Sequence, residues 1–130
     1  MPTLFTKLIN GELPCHKIWE DERHFAFLDI HPIQPGMTLV IPKQEVDHPF
    51  SMDDGAYTAL MLAAKHLTPA IQKATGCARV GLVIEGLEVP HAHIKLIPLN
   101  APHDLAQENA KQATDEELKA MADKINAHLS

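Results

Sequence analysis

Apolar positions recur along this chain with two periods. Leu60, Ala63, Ala64, Leu67, Ile71 and Ala74 follow the three-and-four spacing that makes one stripe on a helix. Residues 51–54 (Ser-Met-Asp-Asp) offer capping groups and Gly76 a stop, so the spacing predicts a long helix ending near residue 76. Pro69 lies inside that stripe and is expected to kink or divide the helix, at a cost of about 3 kcal/mol in an unsupported one. A second helix is expected after Thr114-Asp115-Glu116-Glu117, which has capping-box spacing, and it should bury Leu118, Met121, Ala122, Ile125 and Leu129. A short helix over residues 4–11 gathers Leu4, Phe5 and Leu8 on one side and closes on Asn10-Gly11.

Strand signals fill the space between. Residues 17–20 and 25–28 read as a hairpin joined by Asp21-Glu22-Arg23. Residues 29–36 form a loop, with Pro35-Gly36 suited to a type II turn. Residues 38–42 (Thr-Leu-Val-Ile-Pro) are nearly all apolar, as expected of a central strand. A fourth strand is expected over residues 79–84 and a fifth over 89–98. Strands and helices come in runs instead of strict alternation, which favours an α+β fold with an antiparallel sheet. Over 130 residues, without an internal repeat or linker composition, the chain reads as one domain spanning residues 1–130.

The fifth strand carries the unusual chemistry. Period-two alternation places His91, His93 and Lys95 on one face and Ala92, Ile94 and Leu96 on the other. Three readings compete for the polar face. It is a wet strand face without a role, or a metal site in which His31, His48 or Glu45 completes the two imidazoles, or a site of phosphoryl chemistry. Lys95 counts against a divalent ion and in favour of the last reading, because an ammonium stabilises charge spread over phosphoryl oxygens. A net charge of −6 argues against bulk binding to nucleic acid or an anionic membrane surface, while leaving room for one small anion in a cationic pocket. The opening residues lack the basic start and apolar run of an export signal, and no apolar run reaches transmembrane length. Cys15 and Cys77 are isolated. A cytoplasmic protein is expected.

From these residues the chain resembles the histidine-triad family of nucleotide hydrolases and transferases. The family signature, His-φ-His-φ-His-φ-φ with φ apolar, stands here as His91-Ala92-His93-Ile94-Lys95-Leu96-Ile97. Residues 5–14, Glu20-Asp21, residues 26–30 and residues 35–43 follow the family's N-terminal pattern in order, so the resemblance covers about the first hundred residues. It implies a five-stranded antiparallel sheet with a long central helix and a C-terminal helix, paired as a homodimer. It also implies attack by His93 on the α-phosphorus of a purine nucleotide, giving a nucleotidyl-histidine that water hydrolyses. His91 then orients the site or contacts phosphate, Lys95 flanks the nucleophile, and Asp29 holds the ribose hydroxyls. The base lies among Leu4, Phe5, Leu8, Phe27 and Ile30, residues that on their own would read as simple core.

Four departures qualify the resemblance. Lys95 replaces the third histidine; it retains donors and charge, but is a poorer general acid near neutral pH unless its pKa falls. Because glutamine there accompanies nucleotidyl transfer in a related branch, hydrolase and transferase both stay open. Met37 stands where a histidine often follows Pro-Gly. Thr3, Thr6 and Glu45 occupy positions that bind zinc with the first triad histidine in many bacterial members, so no metal and no cofactor is expected. Gly86-Leu87-Glu88 replaces a phosphate-contacting Gly-Gln-Ser/Thr; Gly86 still permits close backbone approach, whereas an inward Glu88 would repel a polyphosphate. Dinucleoside polyphosphates and nucleoside phosphoramidates are the candidate substrates. A purine-nucleotide-binding module with little turnover is the alternative, and a metal-dependent enzyme on the histidine pair is a third class.

Overall fold

The structure, a computed structural model, describes residues 3–129. Its elements in chain order are α1 (Leu4–Ile9), β1 (Lys17–Glu20), β2 (His24–Leu28), β3 (Thr38–Pro42), α2 (Asp54–Thr75), β4 (Arg79–Val83), β5 (Ile94–Leu99) and α3 (Asp115–Asn126), with short 3-10 turns at Pro49–Ser51 and Gln107–Asn109. The fold is α+β. The five strands form one antiparallel sheet in the order β1-β2-β3-β5-β4, and the apolar β3 lies at its centre as expected. No helix among the described residues is long and apolar enough to cross a membrane.

Both faces of the central strands are covered, which is why β2 and β3 are buried at every position. Ala26, Leu28, Val40, Ile94 and Leu96 point to the side of α2 and α3, where they meet Leu60, Leu67, Ile71, Leu118 and Ile125. Phe25, Phe27, Leu39, Ile41 and Ile97 point to the other side and pack with Phe5 of α1, Ile33 and Met37. Pairing aligns one row across the sheet on this second side: Lys17 opposite Phe27, Phe27 opposite Leu39, Leu39 opposite Lys95, and Lys95 opposite Val83. Lys95 thus stands between Leu39 and Val83, and Lys17 closes the other end of the row.

The caps are those the sequence predicts. The Asp53 carboxylate accepts from the Ala56 amide, Gly76 closes α2 in the left-handed region at φ 71°, and Thr114 with Glu117 completes the capping box of α3. Gly36 fills the left-handed position of its turn at φ 95°. Met121 and Leu129 are only partly buried against the core.

Two expectations change. Pro69 does not divide α2, which runs unbroken from Asp54 to Thr75. Proline deprives the Lys65 carbonyl of its usual amide partner, and the Thr68 hydroxyl donates to that carbonyl instead, at 2.9 Å. The histidine strand also begins later than its alternation suggests, at Ile94 instead of residue 89. Pro90 lacks an amide proton, the His91 amide turns back to the Val89 carbonyl at 2.8 Å, and the Ala92 amide donates to the Val46 carbonyl of the β3–α2 connector. His91 and His93 therefore lie on the lead-in to β5, and only Lys95 is on the strand itself.

Candidate active site

The site is built where α1, the end of β2, the lead-in to β5 and the β4–β5 connection converge. Thr3 caps α1 by accepting the Thr6 amide, and the helix lays Phe5 against the sheet. The Phe5 ring meets Phe27, His91 and His93 edge-on, at centroid distances of 5.6, 5.7 and 5.1 Å. An apolar wall thus fixes the plane of His93 on one side.

His93 is buried, with 6% of its surface exposed. Its Nδ1–H donates to the His91 carbonyl at 2.8 Å, since a carbonyl can only accept. That bond fixes the tautomer and leaves the Nε2 lone pair free. Burial lowers the His93 pKa below the ordinary 6.5; the charges of Lys95 and His91 lower it further, against the raising effect of the His91 carbonyl. The imidazole is thereby kept neutral, the state a nucleophile needs.

Lys95 reaches the same space from β5. Its Nζ lies 3.3 Å from the Glu85 carboxylate across the β4–β5 connection, and 17% of the side chain is exposed. Beside His93 and Lys95 opens a cavity of about 470 Å³, floored by Phe27 and Leu39 and walled by Leu4, Leu8, Ile30 and Leu87. That volume is within the usual range for a small-molecule site. A second lobe of about 420 Å³ continues past Asp29, His31, Glu85, Glu88 and Lys95 toward Ile33, Met37 and Gln107.

Most residues expected at the site converge there. His93, Lys95, Asp29, Leu4, Phe5, Leu8, Phe27 and Ile30 all line the larger lobe. Phe5 and Phe27 are each 5% exposed and belong to the core as well as to the pocket, whereas Leu4 and Ile30 are about half exposed, at 49% and 52%. Asp29 caps its loop by accepting the His31 amide on Oδ1 at 2.8 Å.

Two residues are placed otherwise. His91 is fully buried: Nε2 donates to the Pro42 carbonyl at 2.7 Å, and Nδ1 lies 2.7 Å from the Thr3 hydroxyl. It does not line either lobe of the cavity. Gly86, at φ 74°, stands against His48, where an added Cβ would lie 3.2 Å from Nδ1, and it is not part of the pocket lining. Glu85, Leu87, Glu88 and Val89 of the same connection are. Their signal in the sequence is weak, because a connection between strands has no period to mark which side chains turn inward. His31 also lines both lobes, and a loop histidine offers no pattern that would reveal it.

Thr3, Thr6 and Glu45 are joined to one another and to His91 by hydrogen bonds. Two hydroxyls, one carboxylate and an imidazole already bonded at both nitrogens do not suit zinc, which favours thiolates and free imidazoles. No group of three or more metal-ligating side chains lies together among the described residues.

In a small α+β protein, an apolar pocket that ends at a neutral imidazole and an ammonium has the chemistry to accept an aromatic group beside an anion. Residues 10–101 match the HIT domain model, and the chain belongs to the HIT domain family. An uncharacterized HIT-like protein of Borreliella burgdorferi is 36% identical over 102 residues, covering 73% of each chain. The adenosine 5'-monophosphoramidase hnt1 of Schizosaccharomyces pombe is 29% identical over 133 residues, covering 99% of each. Among solved structures, a hypothetical histidine triad nucleotide-binding protein of Sulfolobus tokodaii superposes with a TM-score of 0.86 at 25% identity, covering 96% of this chain and 90% of the other.

Proposed function

We propose that this protein is a purine-nucleotide hydrolase or nucleotidyl transferase that cleaves at the α-phosphorus through His93. The observation that carries the reading is the fixed tautomer of a buried imidazole that lines a nucleotide-sized cavity together with Lys95 and makes its hydrogen bond through Nδ1. The base lies over Phe27 and Leu39 between Leu4, Leu8 and Ile30, and the Asp29 carboxylate takes the ribose hydroxyls. Nε2 attacks the α-phosphorus, an N–P bond forms, and the bond to the leaving group breaks with its electron pair, an amine leaving group taking up a proton from solvent as it departs. Lys95 stabilises the charge on the phosphoryl oxygens. Water then attacks the same phosphorus, releases the imidazole and yields the nucleoside monophosphate; another acceptor in its place makes the reaction a transfer.

The second lobe supports one substrate class over the other. Glu85 and Glu88 line it together with Asp29, and among the described residues Lys95 is the one lysine or arginine in its lining. A polyphosphate leaving group would be repelled by these carboxylates, whereas an amine would not. Nucleoside phosphoramidates are therefore favoured over dinucleoside polyphosphates, in keeping with the activity named for the Schizosaccharomyces pombe relative. The working unit is a homodimer; the outer strand β4, with Leu82 40% exposed, offers an open edge for pairing. No cofactor takes part.

The test is turnover of adenosine 5′-phosphoramidate and of diadenosine tetraphosphate by the wild type and by His93→Ala, with and without a chelator. Turnover that ignores the chelator, disappears in His93→Ala and is faster on the phosphoramidate is expected. Saturable AMP binding without turnover on either substrate would replace the reading with a nucleotide-binding module.

A further inference from the structure

Behind the cleft, a chain of polar contacts ends on the residue that fixes the nucleophile. Glu45, on the connector between β3 and α2, accepts the Thr6 hydroxyl at 2.5 Å and the Thr3 amide at 2.7 Å through the same oxygen. The Thr3 and Thr6 hydroxyls lie 3.1 Å apart, and the Thr3 hydroxyl lies 2.7 Å from Nδ1 of His91. Nε2 of His91 is tied to the last residue of β3 through the Pro42 carbonyl. The His91 backbone carbonyl then accepts the Nδ1–H of His93. The path from the carboxylate to the nucleophile runs through the Thr3 amide and hydroxyl, the His91 ring and the His91 carbonyl, and the Thr6 hydroxyl holds the carboxylate at its start.

This arrangement does more than fill space. The lead-in to β5 has no strand partners at His91 and His93, so the sheet does not fix the carbonyl on which the tautomer of His93 depends. The 45–46 segment holds that peptide from two directions, through the Glu45 chain to the His91 ring and through the Val46 carbonyl to the Ala92 amide. Hydrogen bonds from the Thr6 hydroxyl and then the Thr3 amide keep the Glu45 carboxyl below the usual range, so the chain ends on an ionised acceptor at neutral pH.

We infer that Glu45, Thr6 and Thr3 are positioning residues for the reaction at His93: they lock the His91 ring, and through its peptide they set the tautomer and aim of the nucleophile. The inference rests on the reading of His93 as the nucleophile. Thr6→Val is the primary probe, because it removes the hydroxyl, keeps the shape and leaves the amide that the Thr3 cap binds. Thr6→Ser restores the hydroxyl. Glu45→Ala is the second probe, at an exposed side chain where loss of the fold is not expected.

Two readouts are needed, kcat and KM on adenosine 5′-phosphoramidate and the ¹⁵N shifts of the His93 ring, which report the tautomer without turnover. Thr6→Val and Glu45→Ala should each lower kcat about tenfold with KM unchanged and give mixed His93 tautomers, because small misplacements of a reacting group carry costs of this size. Thr6→Ser should match the wild type in both readouts. Wild-type kcat and unchanged His93 shifts in Thr6→Val and Glu45→Ala would overturn the inference, as would a Thr6→Ser that fails alongside Thr6→Val. If the wild type has no turnover, the nucleophile reading fails, while the ¹⁵N shifts still decide whether the chain sets the tautomer.

Discussion

Lys95→Met isolates the contribution of the ammonium beside His93. Methionine keeps most of the side-chain length over Leu39 and Val83, the cross-strand neighbours of Lys95, and removes only the ammonium. At an effective dielectric constant of about 20, a unit charge about 4 Å from a phosphoryl oxygen is worth about 4 kcal/mol. Glu85 already holds the ammonium at 3.3 Å, and its own side chain is 45% exposed, so part of that field is compensated and part is screened. A residual of about 3 kcal/mol corresponds to about a hundredfold in rate, similar to the loss of one oxyanion-type donor. The loss should fall on kcat, because the charge on the phosphoryl oxygens is redistributed in the transition state, while KM changes little. The assay is steady-state turnover of adenosine 5′-phosphoramidate, with thermal unfolding to verify that the variant is folded. Lys95→Arg should recover much of the rate. A Lys95→Met enzyme whose kcat stays within about threefold of wild type would refute the electrostatic role, since that corresponds to well under 1 kcal/mol.

Three further outcomes are expected. Protonating His93 removes the nucleophile, and its pKa lies below the ordinary 6.5, so the acidic limb of the kcat/KM profile should fall at lower pH than a free histidine would give and should move upward in Lys95→Met, where one lowering charge is gone. Asp29→Asn should raise KM for the nucleotide about tenfold and affect kcat less, and should leave binding of a 2′,3′-dideoxy analogue unchanged, because the loss is confined to a charged hydrogen bond to the sugar. Gly36→Ala should lower the melting temperature, since the position is at φ 95° and the new Cβ would lie 2.7 Å from Thr75 Cγ2 and 3.3 Å from Pro98; an unchanged melting temperature would show that the turn relaxes freely.

The parts of the fold legible in the sequence were those set by local period and local chemistry. The bounds of β1 and β3, the capped ends of α2 and the capping box of α3 each depend on residues within a few positions of one another. What escaped were matters decided by distant partners. Nothing near Pro69 states that Thr68 will satisfy the freed carbonyl, and nothing in residues 89–93 states that the Val46 carbonyl will take the Ala92 amide that a strand partner would have taken.

The candidate site divides in the same way. Of the strand residues that line the cavity, Lys95 is marked by the strand period and Phe27 by the resemblance alone. Glu85 and Gly86 stand side by side in one connection, yet one pairs with Lys95 and the other packs on His48. Only the folded chain distinguishes them. Thr3, Thr6 and Glu45 read in the sequence as an absence of zinc ligands, and their bonds to His91 depend on the docking of α1 against the 43–50 connector.

The most direct test of the central claim is capture of the covalent intermediate. The wild type is mixed with adenosine 5′-phosphoramidate, quenched in alkali, where a phosphorus–imidazole bond survives, and analysed by intact mass and peptide mapping. The account predicts one added adenylyl group, located on His93 and absent from His93→Ala. Turnover by the wild type without any adduct, or an adduct on a residue other than His93, would contradict it.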